Sequence, residues 1–180
     1  MVSEQVRNPI KVVDYDPDWP VIFARLAAVL QQQLGQLAQR IEHVGSTSVP
    51  GLAAKPIIDL DIVIAGETAL PQVCALLAEL GYHHEGNLGI EGREAFKRED
   101  TTVPRVGQGA EWMTHHLYVC PADSRELARH LAFRNYLRTH PDVRDAYAEL
   151  KRRLAVQYTY DRDGYTEAKT AFISRVLQLK

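Results

Sequence analysis

In residues 21–37 the apolar side chains Ile22, Phe23, Leu26, Val29, Leu30, Leu34 and Leu37 recur at intervals of three and four, which predicts a helix with one buried stripe. Asp16-Pro17-Asp18-Trp19-Pro20 ahead of it supplies an N-cap and a proline in the first turn. The period then changes. Residues 41–44 read as a short strand and residues 57–64 (IIDLDIVI) as a second, with Pro50, Gly51 and Pro56 in the loop between them. Thr68 can cap a helix that ends at Gly81 and turns Val73, Leu76, Leu77 and Leu80 inward. Residues 94–98 and 115–120 predict two more strands, joined by a Gly- and Pro-containing loop long enough to carry function. Residues 10–14 (IKVVD) form an apolar run suited to an edge strand. After Pro121 the pattern is helical throughout: Asp123 or Ser124 caps a segment to Thr139, Asp142 opens another to about Tyr160, and Thr166 caps the last. This order predicts an α+β (mixed α/β) fold, a small mixed sheet covered by helices on one side. A sheet-containing core, 1–120, and a helical part, 121–180, share a single domain over 1–180.

Composition narrows the function classes. The 180 residues are 46% apolar and 24% charged, enough for an ordinary globular core. A net charge of −2 gives no overall positive field, so neither DNA nor a membrane surface is an expected partner. No apolar run approaches the ~20 residues of a membrane span, and the leading residues lack a hydrophobic signal core, so the cytoplasm is the expected compartment. Cys74 and Cys120 sit in apolar contexts without metal or redox spacing and read as reduced thiols.

The chemistry concentrates in residues 41–64. On a strand Ile57, Asp59, Asp61 and Val63 share one face, and Ile58, Leu60, Ile62 and Ile64 the other. Two carboxylates about 6.5–7 Å apart among apolar neighbours face both desolvation and mutual repulsion, which a bound Mg²⁺ or Mn²⁺ would remove. An alternating strand at a solvated edge explains the pair equally well. The upstream HVGSTSVPGLAAKP shifts the balance. Gly45 and Ser46 directly after a strand expose backbone N–H groups and a hydroxyl as a phosphate nest does, and Lys55 adds a cation four residues before Asp59. A polyphosphate held by Gly45, Ser46 and Lys55, with metal on Asp59 and Asp61, is the layout of phosphoryl or nucleotidyl transfer.

Gly-Ser after a strand followed by D-x-D on the next resembles the active-site pattern of the nucleotidyltransferase superfamily. IEHVGSTSVPGLAAKPIIDLDIVI (41–64) resembles more closely the GrpB family (UPF0157), as do YDPDWP, THHLYV, FRNYLRTHP, YAELKRRLA and YTEAKTAFI, so the similarity runs along nearly the whole chain. The resemblance implies a nucleotidyltransferase-like fold and a nucleotide or other phosphorylated small molecule as partner, with the acceptor undefined. Similar domains also occur fused to dephospho-CoA kinase. This implies the alternative of a catalytically silent binding or accessory domain with a protein partner. The chain has no GxxxxGK[ST] loop and so lacks the usual chemistry of that kinase. Active nucleotidyltransferases add a third carboxylate from a neighbouring strand, and here residues 115–120 read HHLYVC. His116 or His115 takes that place, with Glu94 and Glu99 as weaker alternatives, and imidazole suits Mn²⁺, Zn²⁺ or Fe²⁺ better than Mg²⁺. Alternation on the strand aims His116 at the Asp pair and His115 away.

Further cations could reach a phosphate. Arg98 or Lys97 lies on a strand expected beside 115–120; Arg134 sits among Phe133, Tyr136 and Leu137; Lys169 falls in the first turn after Thr166. His43 either lines the same pocket or is structural. His83-His84 and Lys151-Arg152-Arg153 read as surface.

Overall fold

The structure is a computed structural model that describes residues 8–107 and 109–179. Residues 1–7, half of the stretch read for a targeting signal, lie outside the described residues. Five strands, β1 (Arg40–Val44), β2 (Ile58–Ile64), β3 (Tyr82–Gly86), β4 (Glu94–Arg98) and β5 (His115–Pro121), form one mixed sheet in the order β1-β2-β5-β4-β3. Only β2 and β5 run parallel; the other neighbours are antiparallel. The mixed α/β class is thus as the pattern predicts.

Helices α1 (Trp19–Leu34) and α2 (Leu70–Glu79) cover one sheet face. Ile58, Leu60, Ile62 and Ile64 meet Leu26, Leu30, Leu34, Val73 and Leu77 there in the largest apolar cluster, each side chain 3% exposed or less. The second face is covered too, contrary to the one-sided expectation. Helix α3 (Arg125–Thr139) packs Leu127 on Val63 and Cys120, and α4 (Pro141–Gln157), α5 (Arg162–Ala168) and α6 (Thr170–Gln178) build outward from it. Ser124 caps α3 by accepting a hydrogen bond from the Leu127 N–H at 3.2 Å.

Several expectations change. Thr68 does not cap α2: it lies inside a 3-10 turn, Glu67–Ala69, and α2 opens after Ala69 with no side-chain cap bond. Residues 10–14 are not a sheet edge: Ile10 packs on Leu154, Ala155 and Tyr165, and Val13 makes a single bridge to Ala54, so the segment straps the C-terminal helices to the loop before β2. Strand β3 has an unpredicted place because only Tyr82 of its five residues is buried, which leaves no alternation to detect. Thr166 caps nothing. Asp161 accepts from Gly164 N–H at 2.9 Å and opens α5 earlier, so Lys169 sits at the junction of α5 and α6 rather than in a first turn.

Candidate functional site

A cleft of about 390 Å³ opens between the β1-β2-β5 face and the helices α3, α4 and α5. Antiparallel register sets Val44 opposite Asp59, so Gly45 meets the Asp59 carboxylate as the chain leaves β1. Gly45 has φ 69°, and a Cβ built there would overlap Asp59 Oδ2. Both facts require glycine. Gly45→Ala is expected to cost about 1–3 kcal/mol in chemical denaturation from backbone strain and overpacking; an unchanged midpoint would show that Asp59 has room to move.

Parallel register sets Asp59 beside His116, and His116 Nδ1 lies 2.8 Å from Asp59 Oδ1. Nδ1–H donates to the carboxylate, and the side chain is half-exposed in the cleft. His115 points to the other face as alternation requires. Its Nδ1 faces Met113 O at 2.9 Å and its Nε2 the Tyr82 hydroxyl at 2.7 Å, and burial pushes it down to about 4, so it is a neutral core histidine.

Asp61 differs from Asp59. It is 0% exposed and lies beneath His130 of α3, whose Nδ1 is 2.7 Å from Asp61 Oδ2 and whose Nε2 is 3.1 Å from Glu126 Oε1. A ring with a carboxylate at each nitrogen donates from both, which makes it an imidazolium. Burial disfavours that charge, but the bonds to Asp61 and Glu126 outweigh burial and hold His130 up to about 9. The hydrogen bond from His130 holds Glu126 down to about 2. Burial pushes Asp61 upward against the pull of His130, and Asp61 Oδ1 is buried with no hydrogen-bond partner.

Three lysines enter the cleft from separate elements: Lys55 from the loop before β2, Lys151 from α4 and Lys169 from the α5–α6 junction. Lys55 and Lys169 lie over the Tyr165 ring, 5.3 and 4.4 Å from its centroid. Among the described residues none of the three has a carboxylate within 4.0 Å, although Asp59 raises all three from further off. Burial pushes Lys55 down and, with Lys55 as neighbour, pushes Lys169 down to about 8.

The chain matches the GrpB protein family over residues 9–179. It belongs to that family. A GrpB protein from Enterococcus faecalis has a crystal structure similar to this chain at 35% identity and a TM-score of 0.79, covering 94% of this chain and 96% of that one. A UPF0157 protein of Pseudomonas aeruginosa is 39% identical over 93% of this chain and 66% of its own length. A dephospho-CoA kinase of Mycolicibacterium paratuberculosis is 28% identical over 91% of this chain and 44% of its own length. The chain spans about half to two thirds of the length of the first curated relatives it matches.

Of the site residues expected from sequence, this GrpB chain brings Gly45, Ser46, Lys55, Asp59, His116, Arg134 and Lys169 into one cleft. Asp61 is adjacent but covered. Arg134 lines the wall with its guanidinium already engaged, donating to Glu42 Oε2 at 2.8 Å and His43 O at 2.9 Å. Arg98 is elsewhere: register places Phe96 beside Leu117 in the core, so Arg98 shares that face and donates to Trp112 O and Met113 O at 3.4 and 3.3 Å. His43 is structural. It stacks on Phe23 at 4.6 Å, its Nε2 is 3.0 Å from Thr47 Oγ1, and burial pushes it down to about 4.

Sequence reasoning missed His130 and Lys151. Glu126, Arg129, His130, Phe133, Arg134 and Leu137 lie at intervals of three and four and form the cleft-facing side of α3, a periodic signal that is polar rather than apolar. Lys151 reads as part of a basic run, yet it is 2% exposed, while Arg152 and Arg153 directly after it remain in solvent. Its spacing of four from Tyr147 marks the shared inner face.

Proposed function

We propose that the cleft binds a nucleotide or another polyphosphate and, in its active form, transfers a nucleotidyl group in the manner of the nucleotidyltransferase superfamily. The observation that carries this reading is the convergence of Lys55, Lys151 and Lys169 beside Gly45 and Ser46, with no carboxylate ion-paired to them among the described residues. The Lys55 and Lys169 ammonium groups, held together away from bulk water, disfavour one another, and a multiply charged anion relieves that repulsion. Phe133, Tyr147 and Tyr165 in the same walls offer ring surface to the rest of such a ligand.

The carboxylates fit a divalent metal in part. Asp61 Oδ1 has no partner and Asp59 faces the bare Gly45, so both have oxygens suited to Mg²⁺ or Mn²⁺. His116 stands on β5 where a third ligand would come from. A metal held there would neutralise charge on the transferring phosphoryl group. Where no metal takes its free nitrogen, His116 is the candidate base, since its Nδ1 is held by Asp59 and its side chain lines the cleft.

A second reading is supported by the opposite wall. Asp61 is tied to His130, and among the described residues no three His, Cys, Asp or Glu side chains converge as metal ligands. The same fold with its pocket kept would then serve as a binding or accessory domain, as the similarity to a dephospho-CoA kinase suggests. Pyrophosphate release from mixed nucleoside triphosphates with Mn²⁺ decides between them. The enzyme reading expects release that falls about 100-fold or more in His116→Asn. Nucleotide binding with no release supports the accessory domain.

A further inference from the structure

Ser46 Oγ lies 2.9 Å from Lys151 Nζ, joining a half-buried hydroxyl at the cleft wall to an amine at its base. Nζ is also 2.5 Å from Ala53 O and 4.6 Å from the Tyr147 ring centroid. The other two hydroxyls of the loop are engaged, Ser48 Oγ donating to Gly45 O at 2.6 Å and Thr47 Oγ1 to Ile57 O at 3.1 Å, and both residues are buried. Ser46 therefore combines access to the cleft with contact to an amine. Lys151 stands in the 17-residue α4, so a rigid element sets the distance. Burial, with Lys169, Arg152 and Lys55 around it, pushes Lys151 down to about 6 against the pull of Asp59. In the structure Nζ donates to both Ser46 Oγ and Ala53 O; once it gives up a proton it keeps the bond to Ala53 O and turns the freed lone pair to the Ser46 hydroxyl.

We propose that Ser46 and Lys151 form a catalytic dyad, with Ser46 Oγ as nucleophile toward a phosphoanhydride anchored by Lys55 and Lys169. The proposal rests on the polyphosphate reading of the cleft. Lys151 Nζ takes the proton of Ser46 Oγ–H as Oγ bonds to phosphorus. The bond from that phosphorus to the bridging oxygen breaks, and the phosphate, pyrophosphate or nucleoside diphosphate leaves with the electron pair. An O-phosphorylated or O-nucleotidylated serine and a Lys151 ammonium remain. An acceptor hydroxyl or water then takes the group from Ser46, its own proton passing to solvent, and the released serine oxygen recovers its proton from Lys151.

An alkyl fluorophosphonate tests the dyad independently of phosphate binding, because fluoride is the leaving group. Wild-type protein should acquire one adduct, located at Ser46 by peptide mass spectrometry and absent from Ser46→Ala. Lys151→Met, of similar length and without the amine, should slow labelling by about 100-fold or more. The wild-type rate should rise as pH passes about 6, where Lys151 loses its proton under the influence of Lys55, Asp59, Arg152 and Lys169. No adduct at Ser46, or labelling of folded Lys151→Met at the wild-type rate, overturns the dyad. If Lys151→Met does not fold, a wild-type profile without the rise near pH 6 overturns it. Titration of the same samples with tripolyphosphate separates the two claims: binding without an adduct removes the dyad alone, and an adduct without binding removes the phosphoanhydride as its substrate.

Discussion

His130→Ala is expected to destabilise the protein by about 3–5 kcal/mol, a large share of the ~5–15 kcal/mol that holds a domain of this size together. The substitution leaves Asp61, 0% exposed, without the only donor among the described residues that reaches it, so the buried carboxyl is left unpaired or must take up a proton. Asp61→Asn introduced together with His130→Ala should recover part of the loss, since a neutral amide is cheaper to bury than a carboxylate. The pH dependence has a fixed sign. His130 is raised from 6.5 to about 9 in the folded state, so its stabilisation is complete below pH 6.5 and is lost as pH rises through about 9. Glu126 is lowered from 4.5 to about 2, so its share is complete above pH 4.5 and is lost as pH falls through about 2. Denaturant midpoints between pH 6 and 10 should fall for wild type and stay flatter for His130→Ala. A change below about 1 kcal/mol would show that the imidazolium is not what keeps Asp61 in place.

The second large effect belongs to the lysines. Lys55→Met and Lys169→Met together are expected to weaken ATP binding by about 100-fold or more, at roughly 1.5–3 kcal/mol for each charged contact removed. Both side chains lie over Tyr165, and methionine keeps most of that apolar contact, so the fold should persist. Lys169 is held down to about 8, so affinity should decline as pH rises past that value and the ammonium is lost. Equilibrium dialysis with labelled ATP reads both effects. Equal affinity in the double variant would place any nucleotide outside this cleft.

The legible parts of the fold are those where one physical signal dominates. Helix α1 announces itself by an apolar stripe, and β2 by a run whose even positions are all buried. Asp59 and His116 could be paired in advance because strand alternation and a parallel neighbour leave one face for both. Asp61 could not be told from Asp59 by the same rule. What separates them is α3, arriving from 69 residues later in the chain to set His130 over one carboxylate and leave the other open. Lys151 is hidden for a related reason: a lysine followed by two arginines reads as solvated, and only the docking of α4 against the loop after β1 shows that its amine is inside. Strand β3 and the strap at residues 10–14 show the limit for short segments, whose place depends on the partner edge rather than on their own pattern.

The central claim is that the cleft recognises a chain of phosphates. Calorimetric titration of tripolyphosphate into wild type and the Lys55→Met/Lys169→Met variant at pH 7, with Mn²⁺ and without, tests it most directly. One site per chain is expected in the wild type, tighter when Mn²⁺ is present, and weakened about 100-fold or more in the variant. Saturating tripolyphosphate that produces no heat and no shift in the wild-type melting temperature, with or without metal, would contradict it.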